Sequence, residues 1–341
     1  MTTTSFTDCS PIFVVGAGRS GTTLLQLMLN AHPEIAIAGE LSFFDGILLL
    51  RSRIPDLNTP ERIDQLFALL PQLELYKYLT EVEAIFPGVQ QRLKADPAPS
   101  YEKLYRYVLE GYGTARGARR FGEKTPSNIR HLDALASLFP NCRIVHVVRD
   151  PRATVASRTN VPVFSKDVIT HSIKWKLDIC CGRAFAQIGS QIYCEIDYEK
   201  LVVQPAATLR HVCRFLGEEY DDRMLEYHQS ARRYIKDEPW KHGTQKPVYH
   251  SSIEAWRREL SEGQIHLVEW ITGPQMAYFG YPRSNARFRT KLLSPLHIAR
   301  ELFRWGQHKL WERKVRQRAP GTIHGTNARL LHLLWRELVE R

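Results

Sequence analysis

One stretch near the N-terminus, residues 11–30, limits the fold more than any other part of the chain. It begins with a β-branched, apolar run at residues 12–15, which is typical of a strand buried on both faces. A glycine-rich turn follows, and residues 22–30 then carry leucine and methionine at helical spacing. In such a unit the backbone N–H groups of the turn and the helix dipole converge on one anion. The stretch therefore predicts a phosphate-binding loop.

The loop departs from that of nucleoside triphosphatases at one position. Gly16 and Gly21 have the spacing of a Walker A motif, but Thr22 stands where that motif places a lysine. A triphosphatase without this lysine lacks its main contact to the outer phosphates. The cation inside this loop is Arg19 instead.

The run Arg-Ser-Gly-Thr-Thr-Leu-Leu at residues 19–25 resembles the 5′-phosphosulfate loop of sulfotransferases, most closely the tyrosylprotein and bacterial type. These enzymes use 3′-phosphoadenosine 5′-phosphosulfate (PAPS) as the sulfuryl donor. The resemblance extends from about residue 11 to residue 281 and implies an α/β fold, a P-loop NTPase-like parallel sheet flanked by helices. It assigns donor binding to the loop residues Gly18, Arg19, Ser20, Gly21, Thr22 and Thr23.

Glu40 follows the second predicted strand, an alanine and isoleucine run that begins at Ile35 and ends at Glu40 itself. Ligands of open α/β sheets bind outside the carboxyl ends of the strands, so this carboxylate is placed for chemistry. Tyrosylprotein-type enzymes keep an acid about this far beyond the loop as the catalytic base, and the resemblance gives that role to Glu40. The alternative is a solvated glutamate at the end of a strand.

Lys124 lies in the run Glu-Lys-Thr-Pro, which resembles a family element at the end of a central strand. There the lysine reaches the oxygen that bridges sulfur and phosphorus, so Lys124 and Arg19 join Glu40 as predicted catalytic residues. Pro126 stands where the cytosolic sulfotransferases of small phenols have a catalytic histidine, and proline cannot accept a proton. The base is therefore expected to be Glu40, with His131 as the second candidate. A surface lysine remains the alternative for Lys124.

Arg149 follows a buried strand predicted at residues 144–148, and Pro151 stands at the first position of the next helix. The segment resembles the family's 3′-phosphate site, where the strand-end arginine and a later serine, here Ser157, hold that phosphate. Arginine binds phosphate through two parallel hydrogen bonds and stays charged at any working pH. The alternative is a structural pair between Arg149 and Asp150.

Two further residues match donor-binding positions of the family. Tyr198 corresponds to a tyrosine close to the nucleotide, although a packed core tyrosine is an equal alternative. Lys246, just before Pro-Val, corresponds to a lysine in a segment that folds over the donor.

The net charge of +11 is concentrated in a tail. Residues 283–341 hold 14 Lys and Arg against 4 Asp and Glu, and the rest of the chain is almost neutral. We therefore expect a sulfotransferase domain at residues 8–282 and a basic helical C-terminal extension at residues 283–341. Basic amphipathic helices with tryptophan suit an anionic membrane surface. Packing on the body, or on a second copy of the chain in a homodimer, is the alternative, and no nucleic-acid-binding module is recognised.

Other features indicate a cytoplasmic protein, with a peripheral membrane location if the tail binds lipid. No apolar stretch approaches the twenty or so residues needed to span a bilayer, and residues 1–10 lack a signal pattern. The six cysteines have neither zinc-site spacing nor the density of a disulfide scaffold, and no metal is expected.

The predicted function is sulfuryl transfer from PAPS to an acceptor hydroxyl of a carbohydrate, a glycolipid or a small metabolite. The first rival is a P-loop kinase, against which the missing lysine and the Arg149–Ser157 pair argue. The second is an inactive member of the same fold that binds a membrane surface.

Overall fold

The computed structural model describes residues 10–72, 82–162, 164–229, 231, 246–247 and 252–284. Within these ranges a parallel five-stranded sheet has the strand order β2-β3-β1-β4-β5, which confirms the predicted α/β fold. The strands are β1 (Ile12–Gly16), β2 (Ile35–Ala38), β3 (Arg120–Lys124), β4 (Arg143–Val148) and β5 (Tyr193–Asp197).

Helices cover both faces of the sheet, and side-chain caps from residues such as Ser100, Asp167 and Ser261 begin several of them. They are α1 (Thr22–Asn30), α2 (Pro60–Leu69), α3 (Phe86–Ala95), α4 (Tyr101–Ala115), α5 (Leu132–Leu138), α6 (Pro151–Thr159), α7 (Val168–Ala186), α8 (Tyr198–Val203), α9 (Pro205–Leu216), α10 (Trp256–Glu259) and α11 (Glu262–Tyr278). Short 3₁₀ turns lie at Ile47–Ser52, Leu70–Gln72, Glu83–Ile85, Pro126–Arg130 and Asp222–Gln229.

Strand β1 lies at the centre of the sheet and is buried along its whole length. Phe13 and Val15 face a core that includes residues of α4, whereas Ile12 and Val14 face a second core formed with α1 and α9. This alternation explains why the strand reads as a continuous apolar run, since both faces of a parallel sheet are covered.

The strand order gathers the predicted site residues at one edge of the sheet. The glycine-rich loop leaves the end of β1, between Lys124 at the end of β3 and Arg149 directly after β4. Glu40 comes after β2, the edge strand next to β3, and Tyr198 comes directly after β5, the edge strand next to β4. Ligands bind outside the carboxyl ends of such strands, so the topology places a site here.

The predicted second strand is too long by two residues, because β2 ends at Ala38 rather than at Glu40. The chain turns out of the sheet there, and the backbone N–H of Leu41 donates to the carboxylate of Glu123 at 3.1 Å. Glu40 therefore lies on a turn beyond the strand.

The predicted basic extension lies outside the described residues, apart from residues 283 and 284. Among the helices that the structure describes, none combines the length and the apolar character that crossing a membrane requires.

Candidate active site

The glycine-rich loop, residues 16–21, contains three left-handed backbone conformations. The φ angles are 151° at Gly16, 75° at Arg19 and 98° at Gly21. A Cβ atom at Gly16 would lie 2.6 Å from the carbonyl oxygen of Val147, so only glycine lets the loop leave the strand this closely. At Arg19 the left-handed conformation costs roughly 1–2 kcal/mol. Such strain is typical of functional loops.

The loop presents polar groups suited to an anion. Ser20 is fully buried, and its hydroxyl has no hydrogen-bond partner within the described part of the chain. Gly21, at the N-cap of α1, provides no side-chain cap for the first N–H groups of the helix. Uncapped N–H groups at a helix N-terminus favour a phosphate ligand.

Tyr198 packs directly against the loop. A Cβ atom at Gly21 would lie 2.2 Å from the Tyr198 ring, so the ring occupies the space that any other residue would fill. The guanidinium carbon of Arg149 lies 4.3 Å from the centre of the same ring. The Tyr198 hydroxyl is 3.1 Å from the hydroxyl of Ser252. Tyr198 therefore joins the loop to the end of β4.

The structure brings Arg19, Arg149 and Ser157 together. Nε of Arg19 donates to Oγ of Ser157 at 3.1 Å, and Nη1 of Arg149 donates to the carbonyl oxygen of Arg19 at 3.1 Å. Nη2 of Arg149 donates to the carbonyl oxygen of Ser252 at 2.9 Å, while its buried Nε has no hydrogen-bond partner among the described residues. The Arg149 guanidinium therefore donates to two neutral carbonyl groups at the edge of the loop.

The structure does not support the alternative of a pair between Arg149 and Asp150. Asp150 instead caps α6 by accepting from the backbone N–H of Arg152, and it forms an ion pair with the Arg152 side chain at 2.6 Å. Glu269 of α11 holds the same guanidinium at 2.7 Å. This buried network fixes the turn after β4 and leaves Arg149 to face the loop.

Lys124 and Glu40 form an ion pair with 2.6 Å between Nζ and Oε1. The lysine side chain is 2% exposed and the glutamate side chain is 28% exposed. Lys124 is therefore not a surface lysine, and Glu40 is not simply a solvated strand end. A buried cation at the end of β3 lies beside a carboxylate that solvent still reaches.

His131, the second candidate for the base, pairs with a different carboxylate. Its Nε2 atom lies 3.2 Å from Oδ1 of Asp45, and its ring stacks on Phe44 at 4.9 Å between ring centres. Burial acts to raise the pKa of Asp45, but hydrogen bonds from His131 and Ser127 outweigh it and lower the pKa.

A family model described as the sulfotransferase family matches residues 11–222, which include the loop and the residues after β2, β3, β4 and β5. The chain belongs to the sulfotransferase family. The match decides the class of the protein: it is an enzyme of the transferase class with a P-loop-like fold.

Other known proteins are similar to this sulfotransferase over most of its length. A protein described as protein-tyrosine sulfotransferase A of Caenorhabditis elegans is 26% identical over 285 residues, covering 80% of this chain and 68% of its own. An uncharacterized protein of Aquifex aeolicus is 26% identical over 260 residues, covering 73% of this chain, but the chain spans only 30% of its length. The sulfotransferase domain of the Synechococcus olefin synthase has the same fold, with a TM-score of 0.56 and 20% identity, over 77% of this chain and 96% of the domain.

Thr23 and Lys246 are the remaining predicted donor-binding residues of this sulfotransferase. Thr23 lies in the first turn of α1, as predicted. Lys246 is exposed, and its carbonyl oxygen accepts a hydrogen bond from the hydroxyl of Tyr227 at 2.7 Å. Its role toward the donor stays a prediction. Within the described ranges no cluster of metal-ligating side chains is present.

Sequence reasoning missed two residues at the loop. Ser252 contacts both Arg149 and Tyr198 from a segment about 55 residues beyond β5; that segment resembles the one that folds over the donor in the family, but nothing marks the serine itself. Arg158 directly follows Ser157, and its Nη1 atom lies 3.4 Å from the carbonyl oxygen of Gly18. Burial lowers the pKa of Arg158 to about 10. Its position next to a predicted phosphate residue is the one signal that could have indicated it.

The partly buried carboxyl group of Glu199 holds the turn after β4 by hydrogen bonds. Oε1 of Glu199 accepts from the backbone N–H of Asp150 at 3.1 Å, and Oε2 accepts from the Tyr281 hydroxyl at 2.9 Å. Burial, with a further contribution from Asp197, raises the pKa of Glu199 to about 7.

Proposed function

We propose that this sulfotransferase moves a sulfuryl group from PAPS to a hydroxyl group of a carbohydrate, a glycolipid or a small metabolite. The observation that carries the proposal is the hydrogen bond between Arg19 and Ser157, reinforced by the bond from Arg149 to the Arg19 carbonyl group. PAPS has one phosphate at each end of its ribose, so a protein that binds it needs two adjacent anion sites. The loop and the Arg149–Ser157 pair are two such sites in contact.

The groups at the loop fit such a donor. The unpartnered hydroxyl of Ser20 and the first-turn N–H groups of α1 suit the 5′-phosphosulfate. Within the described residues Arg149 has no carboxylate partner, and a bound phosphate would neutralise its positive charge. Tyr198, packed between the two sites, provides an aromatic surface beside the nucleotide.

The acceptor reaction is assigned to the Glu40–Lys124 pair. Glu40 takes the proton of the acceptor hydroxyl while the hydroxyl oxygen bonds to sulfur. The bond between sulfur and the oxygen that bridges it to phosphorus breaks at the same time. The products are the sulfated acceptor and 3′-phosphoadenosine 5′-phosphate (PAP). Lys124 and Arg19 stabilise the negative charge that develops on the leaving phosphate. The ion pair places the proton acceptor for the hydroxyl and the cation for the leaving phosphate side by side.

A tyrosyl peptide is the second candidate acceptor. The relative from Caenorhabditis elegans is described as a protein-tyrosine sulfotransferase and matches 80% of this chain, which favours this acceptor. The membrane-surface role of the tail, a homodimer and a cytoplasmic location stay predictions.

The test has two parts. Titration calorimetry compares the affinity of PAP with that of ATP, and transfer of ³⁵S from labelled PAPS is followed with oligosaccharides, glycolipids, hydroxylated metabolites and tyrosyl peptides. We expect PAP to bind much more tightly than ATP and one acceptor class to become labelled. Tighter binding of ATP would favour the kinase, whereas PAP binding without transfer to any acceptor would favour the inactive binding protein.

A further inference from the structure

We propose that Glu123 and Thr125, the residues on either side of Lys124, are positioning residues that hold Glu40 against that lysine. The inference rests on the proposed function, because it takes Glu40 as the base. Glu40 follows β2 and Lys124 ends the neighbouring strand β3, so contacts between the two strand ends can fix the distance between base and cation.

The first contact runs from Glu123 to the residue after Glu40. The Glu123 carboxylate is fully buried, and its Oε2 atom accepts the backbone N–H of Leu41 at 3.1 Å. The same oxygen accepts the hydroxyl of Thr125 at 2.8 Å. A buried carboxylate needs donors for its oxygens, and here Leu41 and Thr125 supply them to Oε2.

The second contact joins Thr125 to Ser42, the residue after Leu41. The backbone N–H of Ser42 donates to Oγ1 of Thr125 at 3.3 Å. Ser42 has a φ of 48°, a left-handed conformation that a serine adopts only at a cost. Consecutive N–H groups after Glu40 thus bond to alternate residues of the Glu-Lys-Thr run, and the residue between those two contacts Glu40 itself.

The other oxygen of Glu123 is held from the opposite side. Oε1 accepts the amide of Asn128 at 2.6 Å and also the hydroxyl of Tyr105, which projects from α4. The Tyr105 ring stacks on Phe43 with 4.1 Å between ring centres and an interplanar angle of 4°. The turn at residues 40–43 is therefore fixed at three successive residues after Glu40. We call this set of contacts the strand-end bracket.

A bracket of this kind matters because a general base works only within hydrogen-bonding reach of its proton. Glu40 lies two residues beyond the end of β2, where sheet hydrogen bonds no longer hold the backbone. A displacement of about 1 Å in a reacting group can reduce a rate by about 100-fold. The bracket replaces the missing sheet contacts and sets the 2.6 Å separation between Glu40 and Lys124.

The test compares two substitutions at one position. Glu123→Leu removes the acceptor for the Leu41 N–H, whereas Glu123→Gln keeps an oxygen there. The glutamine is accommodated because Oδ1 of Asn128 is buried without a partner, so its amide can turn to accept from the new side chain. Thr125→Val is nearly isosteric and removes the acceptor of the Ser42 N–H. It replaces Glu123→Leu as the test variant if Glu123→Leu does not fold.

Crystal structures of these variants give the Glu40–Lys124 distance directly, with and without PAP. We expect it to exceed hydrogen-bonding range in Glu123→Leu or Thr125→Val and to be retained in Glu123→Gln. Tyr105→Phe is the matched control, since it removes a buried hydrogen bond to the other oxygen of Glu123 but keeps the ring that stacks on Phe43 and both contacts to the Leu41 and Ser42 N–H groups. It is expected to lower stability while leaving the distance unchanged.

Kinetics separate positioning from mere stability. With an oligosaccharide as the probe acceptor, the first acceptor class of the proposed function, Thr125→Val is expected to lower kcat about 10- to 100-fold and to change the affinity for PAP less than threefold. In a Glu40→Gln background the same substitution should have no further effect, because the group that it positions is gone.

An intact Glu40–Lys124 contact in both Glu123→Leu and Thr125→Val would overturn the proposal, and so would an equal loss of kcat in the two backgrounds. Failure of the proposed function has a different signature. The wild-type enzyme would then bind no PAP, while the structures of the variants would still report on the bracket.

Discussion

Nε of Arg19 donates a hydrogen bond to Oγ of Ser157 at 3.1 Å, although 138 positions separate the two residues along the chain. One end of this contact lies in the loop after β1 and the other in the last turns of α6. The contact makes the two predicted phosphate sites neighbours, so a ligand that carries both phosphates gains from both at once. A nucleotide with only one phosphate does not.

Arg149→Lys is expected to weaken binding of PAP about 10- to 100-fold, because lysine keeps the charge but loses the two-pronged contact to phosphate. Binding of adenosine 5′-monophosphate, which lacks the 3′-phosphate, should hardly change. Titration calorimetry with both ligands measures the difference. Arg223→Lys is the control, since Arg223 is exposed and pairs with Asp221. Equal losses for the two ligands would remove Arg149 from the 3′-phosphate site.

Gly21→Ala is expected to abolish detectable PAP binding and to destabilise the protein. The added Cβ atom would lie 2.2 Å from the Tyr198 ring, and the φ of 98° disfavours any side chain. Gly217→Ala is the matched control, because Gly217 has a φ of 74° at the end of α9 with no atom within 4 Å of the added Cβ.

Chemical denaturation of both variants separates the two causes. The backbone conformation alone costs roughly 1–2 kcal/mol, so Gly217→Ala should lose about that much and bind PAP normally. Gly21→Ala should lose more, by the cost of moving Tyr198. Equal destabilisation, with PAP binding retained in both variants, would show that the ring does not need this close approach.

Strand assignment predicted much of the site, because residues that follow buried parallel strands meet at one edge of the sheet. The predicted strands place Arg149 and Glu40 at this edge, although the strand before Glu40 ends two residues earlier than predicted, whereas Lys124 is placed by the resemblance of its motif. What the sequence could not show are contacts made by segments that fold back from far away. Ser252 reaches Arg149 across 103 positions; its segment resembles the part of the family that folds over the donor, but that resemblance does not indicate which residue makes the contact.

Glu123 was missed for a different reason. A glutamate within a strand next to a predicted catalytic lysine reads as a solvated charge, since glutamate is mostly exposed in proteins. Its burial depends on donors from Leu41, Asn128 and Tyr105, which lie on three separate elements. Only the packed structure brings those donors to one carboxylate.

Glu40→Gln is expected to lower kcat about 10²- to 10⁴-fold, the range for loss of a general base, while PAP binding stays within a few-fold of wild type. The amide keeps the shape of the side chain beside Lys124 but cannot take a proton from the acceptor. His131→Gln should leave kcat within about twofold, because His131 pairs with Asp45 rather than with Lys124. Transfer of ³⁵S from labelled PAPS measures both variants. Unchanged turnover in Glu40→Gln together with a large loss in His131→Gln would make His131 the base.

Glu199 is expected to lower the free energy of unfolding as the pH rises from about 4.5 to about 7, in the same direction as the buried Glu123, whose pKa burial also raises. The pKa of Glu199 is raised from 4.5 to about 7 in the folded protein by burial and by Asp197, so in this window the folded state holds more protons than the unfolded state. A state that holds more protons loses stability as the pH rises, and the loss ends once the folded-state pKa is passed.

Glu199→Gln does not titrate, yet it still accepts from the backbone N–H of Asp150, so the stability of this variant should decline less over the same window. Urea unfolding at pH 5, 6, 7 and 8 measures both slopes, with the exposed Glu254→Gln as the control. Parallel pH profiles for wild type and Glu199→Gln would show that this carboxyl group keeps its ordinary pKa.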